Sequence, residues 1–157
     1  VAKGRHSADI SGEDSVVLFL IGMRINHLWQ VWKWVPIVKA MVTMLAELAK
    51  APDLGLLGRP RTFLSGRVIL VQQYWKSFDH LDHYARSPDQ AHLPQWRKFN
   101  RKVRDNGAVG IFHETYRIRE GGAETVYANM PVFGLAAATV HVPAGRSVLI
   151  TGYPIPT

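Results

Sequence analysis

Ser15-Val16-Val17-Leu18-Phe19-Leu20-Ile21-Gly22-Met23-Arg24-Ile25 is apolar on both of its alternating sides. Val17, Phe19, Ile21 and Met23 point one way, and Val16, Leu18 and Leu20 point the other. A strand with one wet face alternates apolar with polar residues, so this stretch predicts a strand covered on both faces.

The chain downstream supplies the partners of such a strand. Residues 26–33 read as a loop rich in aromatics, with Trp29 and Trp32. Residues 35–50 then predict a helix, because Val38, Met41, Val42, Leu45 and Leu48 recur at three- and four-residue steps. Pro36 suits a first helical turn, and Pro52 and Gly55 mark the end. Residues 56–65, interrupted by Pro60, and residues 67–76 predict a hairpin turning at Gly66. Ser77 is a suitable N-cap for a helix burying Phe78, Leu81 and Tyr84. Ser87-Pro88 opens another helix, with Trp96, Phe99 and Val103 as its stripe and Asn106-Gly107 as its stop. Residues 109–118 are the last strand of the pattern. Strand, helix, strand, strand, helix, strand is the split βαβ order of an α+β, ferredoxin-like core.

The 157 residues suit a single domain. Residues 1–13 read as a polar N-terminal arm. Residues 119–157 read as a C-terminal extension, either an extended arm or extra edge strands. With helices on one face only, the sheet leaves a second apolar face bare. At roughly 25 cal/mol per Å², exposing it is costly. Two sheets packed face to face relieve that cost, so a homodimer forming an α/β barrel is expected. The alternative cover is the C-terminal arm folded back over its own chain. A cleft between a sheet and its helices is also expected.

Bulk composition narrows the function classes. Hydrophobic residues make up 47% of the chain, enough for a packed core. Without cysteine there is no disulfide and no thiolate metal site, which agrees with a cytoplasmic protein. No apolar run reaches 18 residues, so no membrane span is expected. The run at residues 16–21 is short and follows Asp9, Glu13 and Asp14, unlike a secretory leader. The formal charge of +7 centres on Arg97, Lys98, Arg101, Lys102 and Arg104. At helical spacing this run reads as a solvated face, and no nucleic-acid-binding motif accompanies it. Phosphate-loop, nucleophile-elbow and dinucleotide fingerprints are all missing from the sequence.

Gln73-Tyr74-Trp75-Lys76-Ser77-Phe78, Tyr84-Ala85-Arg86-Ser87 and His92 together resemble the antibiotic-biosynthesis-monooxygenase superfamily. Phe19 to Arg24, His92 to Asn100, Gly110 to Tyr116 and Tyr127 to Pro131 resemble a bacterial and fungal monooxygenase-like subfamily that includes a fumagillin-pathway enzyme. The resemblance covers roughly residues 5–145. It implies a dimeric α/β barrel and an oxidoreductase acting on a small apolar or aromatic secondary metabolite. The superfamily also holds haem-degrading enzymes, haem-binding relatives and plain ligand binders, so either no cofactor or haem is implied. In the haem-degrading relatives a His near the position of His92 ligates iron, and a pocket Trp stands where Trp75 does. Their first-strand Asn has no match, since Asn26 comes too late along the strand.

Several residues are candidates for chemistry. Alternation places His113 with Val109, Ile111 and Thr115 inside an apolar strand, where a buried imidazole needs a hydrogen-bond partner. It suits a general base or, if haem binds, an iron ligand, as does His92. Glu114 and Tyr116 share the opposite face; Glu114 is a candidate acid, or a partner for a strand arginine. Trp75 and Gln73 share a face of the third strand. Trp29, Trp96, Gln73 and Asn129 are candidates for a pocket wall suited to a flat apolar substrate. His80 and His83, one turn apart, face away from the Phe78-Leu81-Tyr84 stripe, so no metal site is expected there. The site read from these residues is therefore His113, Trp75, Glu114 and Tyr116 for catalysis, with a small molecule as the partner.

Overall fold

The computed structural model describes residues 1–50, 52–86 and 107–144. Its elements are β1 (Arg5–Asp9), β2 (Val16–Ile25), α1 (Val31–Lys50), a 3-10 turn (Pro52–Leu54), β3 (Leu56–Ser65) and β4 (Val68–Trp75). They continue with α2 (Phe78–Arg86), β5 (Val109–Ile118), β6 (Tyr127–Ala128), α3 (Gly134–Ala138) and β7 (Val140–Pro143). Four strands form an antiparallel sheet in the order β3-β4-β2-β5. Since β2 and β3 each run antiparallel to β4, which lies between them, the segment β2-α1-β3 is a split βαβ crossover and the core is ferredoxin-like.

Strand β2 is central, and its two apolar faces meet different neighbours. Val17, Met23 and Ile25 face the helices, packing with Ile37 and Leu48 of α1 and Leu81 and Tyr84 of α2. Val16 faces the other way, onto Ile10, Leu135, Leu57, Tyr74 and Ile118. Gly66, at φ +55°, opens the two-residue turn of the β3-β4 hairpin. Gly22 pairs with Phe112, and a Cβ there would stand 2.6 Å from the Phe112 ring. Glycine therefore lets that ring lie against the sheet.

Three expectations need correcting. Helix α1 begins at Val31, so Trp32 and Trp34 belong to it and the preceding loop is shorter than the aromatic content implied. Pro36 consequently sits inside the helix, where Trp32 loses the backbone donor of its i+4 neighbour. The core-facing stripe of α1 is Ile37, Met41, Met44 and Leu48, while Val42 is 60% exposed. Steps of four, three and four keep those side chains on one side of a 3.6-residue helix, and Val42 falls off that side.

The two terminal segments meet each other. Strand β1 is the middle of a second sheet, β6-β1-β7, rather than a loose arm or an edge of the main sheet. Its hydrogen-bonded edges are taken by β6 and β7 from residues 119–144. The Thr125 hydroxyl adds a contact, accepting from the Ala8 backbone N–H at 2.8 Å. Ala8, Ile10, Ala123 and Leu135 then cover one end of the main sheet's second face. Beyond this cover the same face stays open among the described residues. Phe63 and Phe112 are each 37% exposed there, and Leu18, Leu20 and Leu70 are half-buried.

Candidate functional site

Between the sheet and its helices lies a hollow of about 310 Å³, within the small-molecule range. Phe19, Ile21 and Met23 of β2 form its floor, and Ile37, Met41 and Met44 of α1 its roof. Leu81 and Tyr84 of α2 close one side. Ser77 caps the start of α2: its Oγ accepts from the His80 backbone N–H at 3.3 Å and meets His80 Nδ1 at 2.7 Å. The His80 ring lies over Gly55, where a Cβ would come within 2.3 Å of it. His80 is thus occupied by the cap. Among the described residues, no group of three or more His, Cys, Asp or Glu is placed to hold a metal ion.

Strand register decides which polar groups enter the hollow. Phe19 pairs with Gln73 on one side and Thr115 on the other, while Ile21 pairs with Val71 and His113. Gln73, His113 and Thr115 therefore rise from one face of the sheet, and all three line the hollow. Gln73 is buried, only 2% exposed. His113 is exposed, which corrects the expectation of a buried imidazole. The reason is its place on β5, an edge strand that α1 covers only near Val109 and Ile111. The His113 ring tilts against Phe19 with centroids 6.0 Å apart, and forms no hydrogen bond among the described residues. Asp82, also on the lining, pairs with Arg86 one turn along at 2.7 Å.

Trp75 is fully buried and packs at 5.4 Å from Tyr84. It does not line the hollow; its indole N–H instead donates to Gln73 Oε1 at 3.0 Å. Glu114 and Tyr116 lie on the opposite face of the sheet, where the Tyr116 hydroxyl donates to Glu114 Oε2 at 2.7 Å. That bond, and then the carboxylate's charge, hold the Tyr116 hydroxyl above its usual pKa. The sheet separates this pair from the hollow. Trp29 is 68% exposed, stands beside His27 at 5.1 Å and is not on the lining. Asn129 is also off the lining. It adopts φ +53° and ties the chain start to β6, its Oδ1 accepting from Gly4 N–H at 3.0 Å. His92 and Trp96 lie outside the described residues.

Sequence reasoning passed over Tyr84 and the methionines as walls of a site. The signal for them was present, since Leu81 and Tyr84 share a stripe, but a stripe alone does not distinguish solid core from a hollow. Burial, and then the charge of Glu47, raise the Tyr84 pKa strongly, so that wall stays neutral.

Comparison with known proteins agrees with this architecture. The pattern of the Monooxygenase af470-like family matches residues 16–135. Monooxygenase af470 of Aspergillus fumigatus is 31% identical over 159 residues, covering 90% of this chain and 56% of the relative. The chain thus spans little more than half of that relative's length. A crystal structure of aldoxime dehydratase with butyraldoxime superposes at a TM-score of 0.62 and 17% identity, over 76% of this chain and 35% of that one. SnoaB, a cofactor-independent oxygenase from Streptomyces nogalater, aligns at a TM-score of 0.45 and 12% identity, over 67% of this chain and 94% of its own. The aldoxime dehydratase likeness is one of fold and agrees with the ferredoxin-like core. With its pattern running from β2 to the start of α3, the chain belongs to the Monooxygenase af470-like family.

Proposed function

We propose that this chain is a small monooxygenase-like enzyme that oxidises an apolar or aromatic metabolite in the hollow beneath α1 and α2. The observation that supports it is the composition of the lining: an apolar chamber with Gln73, His113 and Thr115 on one sheet face. Dioxygen reacts slowly with closed-shell molecules, so the substrate must readily give up a proton. His113 takes that proton from an acidic CH2 group. The carbanion's electrons pass to dioxygen; one oxygen atom becomes a carbonyl and the other leaves as water, so CH2 and O2 become C=O and H2O. The apolar walls keep bulk water from the carbanion.

Replacing His113 by Ala is expected to lower oxygen uptake by roughly 10²–10⁴-fold. The circular dichroism spectrum should not change, because the side chain is exposed. Undiminished uptake by the folded variant removes His113 from the mechanism.

The lining favours a haem-free reading. Among the described lining residues there is no Lys or Arg to pair with haem propionates, and the one carboxylate, Asp82, would oppose them. An unchanged haemin spectrum after mixing with the protein is expected.

The same reading pairs two copies through the open part of the sheet's second face, around Leu18, Leu20, Leu70 and Phe112. Complete absence of cysteine accords with a cytoplasmic setting.

A further inference from the structure

The geometry points to Gln73 as the hydrogen-bond donor that selects the substrate, with Trp75 as its positioning residue: the ligand carries an oxygen acceptor, such as a ketone, set into an otherwise apolar skeleton. This inference rests on the reading of the hollow as a substrate site.

An indole N–H only donates, so the Gln73 amide must present its oxygen to Trp75. The orientation of the amide follows from that one bond. Its NH2 group, two donors, is left over, and it makes no hydrogen bond among the described residues. Although the side chain is only 2% exposed, its Nε2 is not sealed inside the protein, so the two donors open onto the hollow and any acceptor placed there. The side chain lines the hollow, whose walls are mostly apolar, with Asp82, His113 and Thr115 as its other polar members besides Tyr84. A ligand oxygen in the hollow is the acceptor these donors lack. Fully buried Trp75, held against Tyr84, leaves the amide little freedom to turn away.

The same register sets the ligand's size. Gln73 and His113 are separated by β2 and by one row along the strands. Their Cα atoms therefore lie roughly 12 Å apart, from the usual strand spacing and rise. Both side chains extend into the hollow, so a molecule held at its oxygen by Gln73 presents a position several ångströms away to His113.

The test uses acetophenone and α-methylstyrene, which differ by C=O against C=CH2. Calorimetry gives the ratio of their dissociation constants, and comparing that ratio between wild type and variant cancels the difference in hydrophobicity. Gln73→Met is expected to weaken acetophenone relative to α-methylstyrene by about three- to tenfold. Trp75→Phe, which removes only the indole donor and its ring edge, should shift the ratio the same way. A purely structural role would instead weaken both probes alike. In the unaltered protein, the Gln73 side-chain amide signals should move downfield with acetophenone and not with α-methylstyrene. A ratio unchanged in Gln73→Met, or amide signals that respond equally to both probes, overturns the proposal. Neither readout needs turnover. Loss of the oxidative reading would leave this donor role standing, and loss of the donor role would leave His113 chemistry to its own test.

Discussion

The two faces of the four-stranded sheet are equally apolar in sequence and are used differently. On the helix face, Val17, Met23 and Trp75 are fully buried, and the packing leaves a hollow between Phe19 and the α1 methionines. On the other face, β1, α3 and the chain near Ala123 seal the end around Val16 and Tyr74, while Phe63 and Phe112 remain 37% exposed. Among the described residues, one face is therefore closed over and the other is closed only in part. The difference teaches that apolar alternation reports the demand for cover without saying what meets it. A long helix and a short one meet it on one side and leave a hollow. A short second sheet meets it on the other over only part of the area.

Substitutions on each face test this contrast. The largest effect belongs to Trp75→Ala, which should cost about 3–5 kcal/mol in urea unfolding. Phe112→Ala on the open face should cost well under half of that, because part of its ring is already in water. Equal costs would mean that the two faces are equally sealed. Next comes Leu20→Lys, in the half-buried middle of the open face. If two copies pair there, sedimentation velocity should show a fall to the mass of one chain while the circular dichroism spectrum holds. A wild-type chain that already runs as a monomer would leave that face wet and defeat the pairing.

The smallest effect is one of pH and concerns the sealed end. Burial, and then Tyr127, push the Tyr74 hydroxyl up to about 12 from 10.0. Between those values the unfolded chain gives up the proton while the folded chain keeps it, so stability should fall as pH rises from about 10 to about 12. Tyr74→Phe should flatten part of that fall in urea midpoints taken across the interval. Tyr84, raised in the same direction, supplies more of it. An identical slope in the variant would mean that water reaches Tyr74 and the end is not sealed.

Part of the candidate site was legible, and its gaps have definite causes. Period-two alternation is enough to put His113 with Thr115 and to put Glu114 with Tyr116 on the other side, because a strand allows no other arrangement. It could not show that His113 is exposed, since edge or centre is a property of strand order and not of one strand. Trp29 and Asn129 looked suited to a pocket by chemistry alone. The chain turns Trp29 outward and uses Asn129 to tie Gly4 to β6, a contact 125 residues apart in sequence.

Local pattern alone determined the four strands of the main sheet, the hairpin at Gly66 and the Ser77 cap, because each depends on neighbours within a few residues, and their succession along the chain gave the ferredoxin-like order. Tertiary structure alone decided that Trp75 turns to Gln73 instead of to a ligand, that β1 builds a sheet with β6 and β7, and that helix and sheet stop short of full contact. Those outcomes depend on how whole elements fit against one another, and residues far apart in the chain carry no periodic trace of that fit.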